Sequence, residues 1–211
     1  MTCTSSTTIK ARLLRSALAL LLLVPLGAAA GSEEDARAVV QQTSSEVLAL
    51  LADKSLANSQ RIERLTTIAE QRFDLKLMSG LILGRNRTKL SPEQQDEFMK
   101  EFKRHLTVTY GDSLEKYSNE KVQILQTRPE PGGDVTVKTR IVGGRAGDGI
   151  NVDYRLRGKP APWRVIDVFI EGVSVVQNFR TQVQEIVSTK GADQLISILR
   201  EKNDQKAATR S

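Results

Sequence analysis

Cysteine is nearly absent from this chain: the single one, Cys3, lies at the extreme N-terminus, so the body of the protein can form no disulfide and no thiolate metal site. Histidine is as scarce, with His105 alone, which excludes a multi-histidine metal centre and leaves one imidazole for acid-base work. Aromatic residues make up 4% of the sequence, so aliphatic side chains must fill the core. No Gly-Lys-Ser/Thr phosphate loop and no Gly-x-Ser-x-Gly nucleophile elbow occurs. The glycine-rich run Gly143 to Gly149 sits between two predicted strands and reads as a hairpin loop. Nothing in this inventory marks an enzyme, a cofactor site or a metal site.

One apolar run is present, from Ala17 to Leu26. It follows Lys10, Arg12 and Arg15 and precedes Gly27-Ala28-Ala29-Ala30, the layout of a secretory signal, which predicts cleavage after Ala30. The run is well short of the roughly 20 residues that span a bilayer, and no later segment is uniformly apolar, so the mature protein is expected to be soluble. Gly31 would then be the new N-terminus, without the cysteine that a lipid anchor requires. The formal charge of +6 falls to +3 once Lys10, Arg12 and Arg15 leave with residues 1–30. That mild excess, with no basic block interleaved with aromatics, argues against nucleic acid as a partner.

Residues 31–202 carry the pattern of one domain, and the polar stretch 203–211 reads as a frayed, flexible tail. Ala36, Val39, Val40, Val47, Leu48, Leu50 and Leu51 recur at helical spacing. A second helical pattern runs from Asn58 through Ile62, Leu65, Ile68, Phe73 and Leu77 to Gly84, its latter half apolar nearly all round. Ser91-Pro92-Glu93-Gln94 is a capping-box helix start, and Phe98, Phe102, Leu106 and Tyr110 then step by four residues toward an end near Tyr117. After Asn119 the period changes to two. Val122/Ile124, Val135 to Ile141, Ile150 to Leu156 and Trp163 to Ile170 predict four strands joined by short turns, an antiparallel meander. Glu171-Gly172 leads into a helix carrying Val173, Val176, Phe179, Val183, Ile186 and Val187, with Ser174 and Gln177 placed as a second capping box. Lys190-Gly191 ends it, and Leu195 to Leu199 mark a last short helix. The expected class is α+β, with N- and C-terminal helices packed on one curved sheet.

Two stretches are more specific than any periodicity: Leu83-Gly84, Ser91, Gln94, Phe98, Phe102, Leu106, Tyr110-Gly111 in that spacing, and DVFIEGVSVVQNFRTQ from Asp167 to Gln182. Together, behind an export signal, they resemble the MlaC family of periplasmic phospholipid-binding proteins, also called toluene-tolerance proteins. The resemblance spans Ala36 to Lys202. It departs at Asn86 and Arg87, where the family carries aromatics, and at Phe179 and Val183. It implies an NTF2-like or cystatin-like sheet capped by helices around an apolar cavity. It also implies a soluble periplasmic carrier that shuttles phospholipids between the outer and inner membranes and so maintains outer-membrane lipid asymmetry. The implied partners are an inner-membrane ABC transporter with a substrate-binding MCE-type subunit and an outer-membrane lipoprotein complex. A branch of the family is associated with hopanoid systems, so a sterol-like cargo stays open.

The residues expected to line such a cavity are Leu77, Met78, Leu81, Phe98, Phe102, Leu106, Trp163, Val165, Val168, Ile170, Val173, Val176 and Phe179, although apolar stripes at these spacings serve a packed core equally well. The competing reading is a small-molecule enzyme on the same scaffold with His105, Asp167 or Glu171 as proton acceptor. Against it, His105 lies at the edge of an apolar stripe and carboxylates most often cap helices or pair with cations. A purely structural envelope protein with a filled core is the third reading.

Overall fold

The computed structural model describes residues 33–115, 119–144 and 149–208. The expected signal segment 1–30, the predicted helix end at Tyr117 and most of the Gly143–Gly149 loop lie outside them. Four helices lead the chain, α1 (Glu33–Ala52), α2 (Asn58–Arg72), α3 (Leu75–Leu83) and α4 (Pro92–Glu115). A sheet follows, β1 (Lys121–Pro129), β2 (Asp134–Val142), β3 (Ile150–Arg157), β4 (Arg164–Ile170) and β5 (Val173–Ser174), and then helices α5 (Val175–Lys190) and α6 (Leu195–Ala208). Every neighbouring strand pair is antiparallel and the spatial order is the chain order, so the sheet is a meander.

The α+β class expected from the sequence is the one observed, with three corrections in detail. The sheet has five strands, not four. Glu171 and Gly172 both take positive φ, 47° and 79°, reversing the chain so tightly that Val173 and Ser174 pair with Ile170 and Phe169 before α5 begins. The Glu171 carboxylate holds that left-handed backbone in place by accepting the Asn151 amide at 2.5 Å. Two residues are too few to reveal an alternating pattern.

The second correction concerns the helical pattern from Asn58 to Gly84, which is broken at Phe73-Asp74. Phe73 is extended and bridges to Val165, the Asp74 amide donates to the Val165 carbonyl at 2.9 Å, and the Asp74 carboxylate then caps α3 by accepting the Leu77 amide at 2.9 Å. Third, the stretch from Asn203 is not a frayed tail but continues α6 to Ala208, because Asn203 is wholly buried and its Nδ2 donates to the Glu101 carbonyl and to Glu101 Oε2, both at 3.0 Å.

Local chemistry elsewhere follows expectation. The Ser91 amide donates to Gln94 Oε1 at 2.8 Å and the Gln94 amide to Ser91 Oγ at 3.2 Å, a reciprocal capping box at the head of α4. Gly84 ends α3 with φ 51° and ψ −126°, a backbone conformation that favours glycine, and the Arg180 guanidinium of α5 lies over it. Two cores result. One joins α3, α4, α5 and α6 around Met78, Phe98, Phe102, Phe179, Val183 and Leu195. The other sits between α1 and the sheet, with Ala36, Val40, Val135, Val137, Leu156 and Val165. Phe73 packs against both.

Candidate functional site

Between α2, α4 and the inner face of the sheet the packing stops short and leaves an apolar cavity of about 380 Å³. Its floor comes from alternate residues of neighbouring strands: Ile141 on β2, Val152 and Tyr154 on β3, Val168 and Ile170 on β4. Register explains their convergence, since Tyr154 stands opposite Val168 and Val152 opposite Ile170, and paired residues point to the same face. Its roof is the stripe Ile62, Leu65 and Ala69 of α2. None of these three is fully buried, although they form the apolar side of an amphipathic helix. An unfilled space below them accounts for that. Leu75 and Met78 of α3, Leu106 and Tyr110 of α4, Phe73 and Val175 complete the wall. Polar groups gather at one rim, where Glu70 of α2 and Lys103 of α4 form an ion pair across the cleft.

Arg61, also in the lining, is turned to the backbone, its Nη2 donating to the carbonyls of Asp53 at 3.0 Å and Leu56 at 3.2 Å. Burial pushes the Tyr154 phenol up to about 12, so its hydroxyl stays neutral. Among the described residues no group of three or more histidine, cysteine or carboxylate side chains is placed to hold a metal ion.

Four of the residues expected at the cavity line it: Met78, Leu106, Val168 and Ile170. Leu77 and Leu81 lie on another face of α3, along a groove toward the loop that carries Pro160 and Pro162. Phe98, Phe102, Val176 and Phe179 belong to the helical core, where the Phe102 and Phe179 rings meet at 5.2 Å. Val165 and Trp163 pack in the core beneath α1. Val173 is 59% exposed, because the tight turn at Glu171-Gly172 makes it the start of the edge strand β5. The lining that the sequence reading passed over comes mainly from α2 and the two middle strands. The clue available there was the spacing of Ile62, Leu65 and Ala69, an apolar stripe in a helix otherwise rich in charge.

The groups weighed for proton transfer are engaged in the architecture. Asp167 Oδ1 accepts the amides of Val168 at 2.8 Å and Val176 at 3.1 Å, while Oδ2 accepts the Ser174 hydroxyl at 2.6 Å. Ser174 in turn accepts the Gln177 amide at 2.9 Å, so aspartate and serine together cap α5. Of the capping box expected at Ser174 and Gln177, the serine half forms this cap. His105 Nδ1 lies 2.9 Å from Asn203 Oδ1, and since that oxygen only accepts, Nδ1 carries the proton. The ring rests 4.7 Å from Phe179, and burial holds the imidazole below its ordinary value.

A half-buried helix over an antiparallel meander sheet, with an apolar-walled cavity between them, defines an α+β cavity-bearing module. The MlaC protein family model matches residues 41–201, and the chain belongs to that family. It is 29% identical to the toluene tolerance protein ttg2D of Pseudomonas putida, over 85% of this chain and 84% of that protein. It is 26% identical to the intermembrane phospholipid transport system binding protein MlaC of Haemophilus influenzae, over 80% of this chain and 86% of that one. Among solved structures it is similar to the phospholipid-binding protein of Ralstonia solanacearum in complex with a phospholipid, with TM-score 0.74 and 27% identity, covering 82% of this chain and 99% of that one.

Proposed function

We propose that this protein is a periplasmic phospholipid carrier whose cavity between α2, α4 and the sheet receives acyl chains. The observation that carries the reading is the apolar wall beneath a helix whose stripe of Ile62, Leu65 and Ala69 stays only partly buried above an unfilled space. The relatives named for phospholipid binding and intermembrane phospholipid transport support it. A diacyl lipid exposes on the order of 30 methylenes, and at about 0.8 kcal/mol each, roughly 24 kcal/mol opposes its passage through water. A carrier replaces the membrane with a dry cavity of comparable affinity, so that cargo is held but still released. Loading and unloading then fall to partners. An inner-membrane ABC transporter with an MCE-type subunit and an outer-membrane lipoprotein complex complete the proposed cycle, which maintains outer-membrane lipid asymmetry. Cleavage of residues 1–30 would deliver the carrier to the periplasm. Consistent with a diffusible carrier, no helix among the described residues is long and apolar enough to cross a membrane.

Asp167 spends both carboxylate oxygens on capping α5, and neither Asp167 nor His105 lines the apolar cavity, which favours the carrier over an enzyme acting there. The direct test is extraction of a tail-labelled fluorescent phospholipid from donor vesicles by the purified protein. Uptake that saturates near one lipid per protein is expected. No uptake by the folded protein contradicts the reading.

A further inference from the structure

Leu77 and Leu81 give α3 a second apolar face, which lines a groove of about 630 Å³. The first two turns of α4 and the loop from Lys159 to Pro162 complete its walls, and it shares no lining residue with the apolar cavity. Two features of α3 along this groove are unexplained by packing within the chain. Gly80 stands mid-helix, where glycine is unfavourable relative to alanine, yet its φ is not positive and a Cβ there would meet nothing within 4 Å. Ser79 is 4% exposed, and its Oγ has no hydrogen-bond partner among the described residues. A second backbone laid along α3 would use both: room where a side chain is missing, and a buried hydroxyl to pair with a peptide group.

Charge around the groove is one-sided. Lys76, Lys159 and Arg164 enter no ion pair among the described residues, and Arg87 Nε donates to the neutral Gln95 side chain at 2.8 Å. Arg157 is paired with Asp134. Of the two carboxylates in the lining, Asp74 is occupied in capping α3, which leaves Asp96 against those four cations.

We propose that this groove docks an acidic segment of a partner protein, a short stretch in which apolar side chains alternate with carboxylates, laid along α3. Leu77 and Leu81 receive the apolar groups, and the cations on the rim attract and orient the carboxylates. The volume exceeds what an inorganic anion fills, and a flat membrane meets the rim of a concave groove but not Ser79 and Gly80 within it. The assignment stands independently of what the cavity holds.

The test is site-specific photocrosslinking of the full chain in its own cells. A benzophenone amino acid replaces Leu77 in the groove and, as a control, Leu125, which is 57% exposed on β1, and the cross-linked peptide is sequenced by mass spectrometry. A segment of another envelope protein, with more carboxylates than cations, is expected from the groove position and not from the control. Lys159→Glu with Arg164→Glu should cut the yield by about tenfold, the size of one or two charge contacts, while Lys159→Arg with Arg164→Lys should keep it. Gly80→Ala should hold or raise the thermal midpoint and lower the yield. No adduct, a lipid adduct, an adduct with a second copy of this chain, a segment without excess acid, or an undiminished yield in the folded double charge reversal each overturns the proposal. That double variant should also take up tail-labelled phospholipid from vesicles as the wild type does; lost uptake would make the groove part of the lipid site and overturn the assignment. A wild type that takes up no lipid yet yields the acidic adduct contradicts the carrier reading and leaves this one standing.

Discussion

Asp167 and Val176 are nine positions apart, yet the Asp167 Oδ1 accepts the Val176 amide at 3.1 Å and so ties the last long strand to the first turn of α5. The carboxylate that sequence reading weighed as a proton acceptor is the bracket between sheet and helix. Replacing Asp167 with alanine removes three acceptor contacts at a site only 8% exposed, and a loss of about 1–3 kcal/mol is expected. Urea denaturation should move to a lower midpoint with an unchanged slope, and Asp167→Asn, which keeps one acceptor, should lose less.

Leu65 faces the cavity from α2 and is only half-buried. Leu65→Trp should occupy space that acyl chains would otherwise take. Lipid co-purifying with the protein should fall several-fold while the thermal midpoint holds or rises. Retention at wild-type level would mean that the chains lie elsewhere.

Phe102 and Val173 were expected to share one role, and the structure separates them. Phe102 is wholly buried among Phe98 and Phe179, so Phe102→Ala should destabilise by about 3–5 kcal/mol through the cavity it leaves. Val173 is 59% exposed, so Val173→Glu should change stability by no more than about 0.5 kcal/mol and leave retained lipid unaltered. Chemical denaturation and lipid extraction of both variants check the contrast.

His105 is held neutral by burial, its ionisation pushed below the ordinary value of 6.5. The unfolded chain therefore binds a proton more readily than the folded one. Stability is complete above about pH 6.5 and falls as the pH drops through the lowered folded value. Thermal midpoints of the wild type should decline from pH 7 to pH 5 more steeply than those of His105→Gln, with the two curves running parallel above pH 7.

Features set by neighbouring residues were legible in the sequence: the Ser91/Gln94 box, the Gly84 and Gly191 helix ends, and the positions of β2 and β3. Features set by distant partners were not. Helical periodicity passes through Phe73-Asp74 unbroken, and only pairing with Val165 interrupts the helix. The polar run from Asn203 looks like a tail until Glu101 and His105 of α4 are seen to hold it. The cavity was hidden for a different reason. Lining and core demand the same apolar side chains, and what distinguishes Ile62 or Val152 from Phe98 is an absence of neighbours that no sequence pattern records.

The central claim is that acyl chains occupy the space between α2, α4 and the sheet. The most direct measurement is native mass spectrometry with lipid extraction on protein purified from a periplasm without detergent, wild type beside Leu65→Trp. The account predicts a stoichiometric glycerophospholipid adduct on the wild type and a mostly empty variant of equal stability. A wild type that is free of lipid and stays so after incubation with phospholipid vesicles would contradict it.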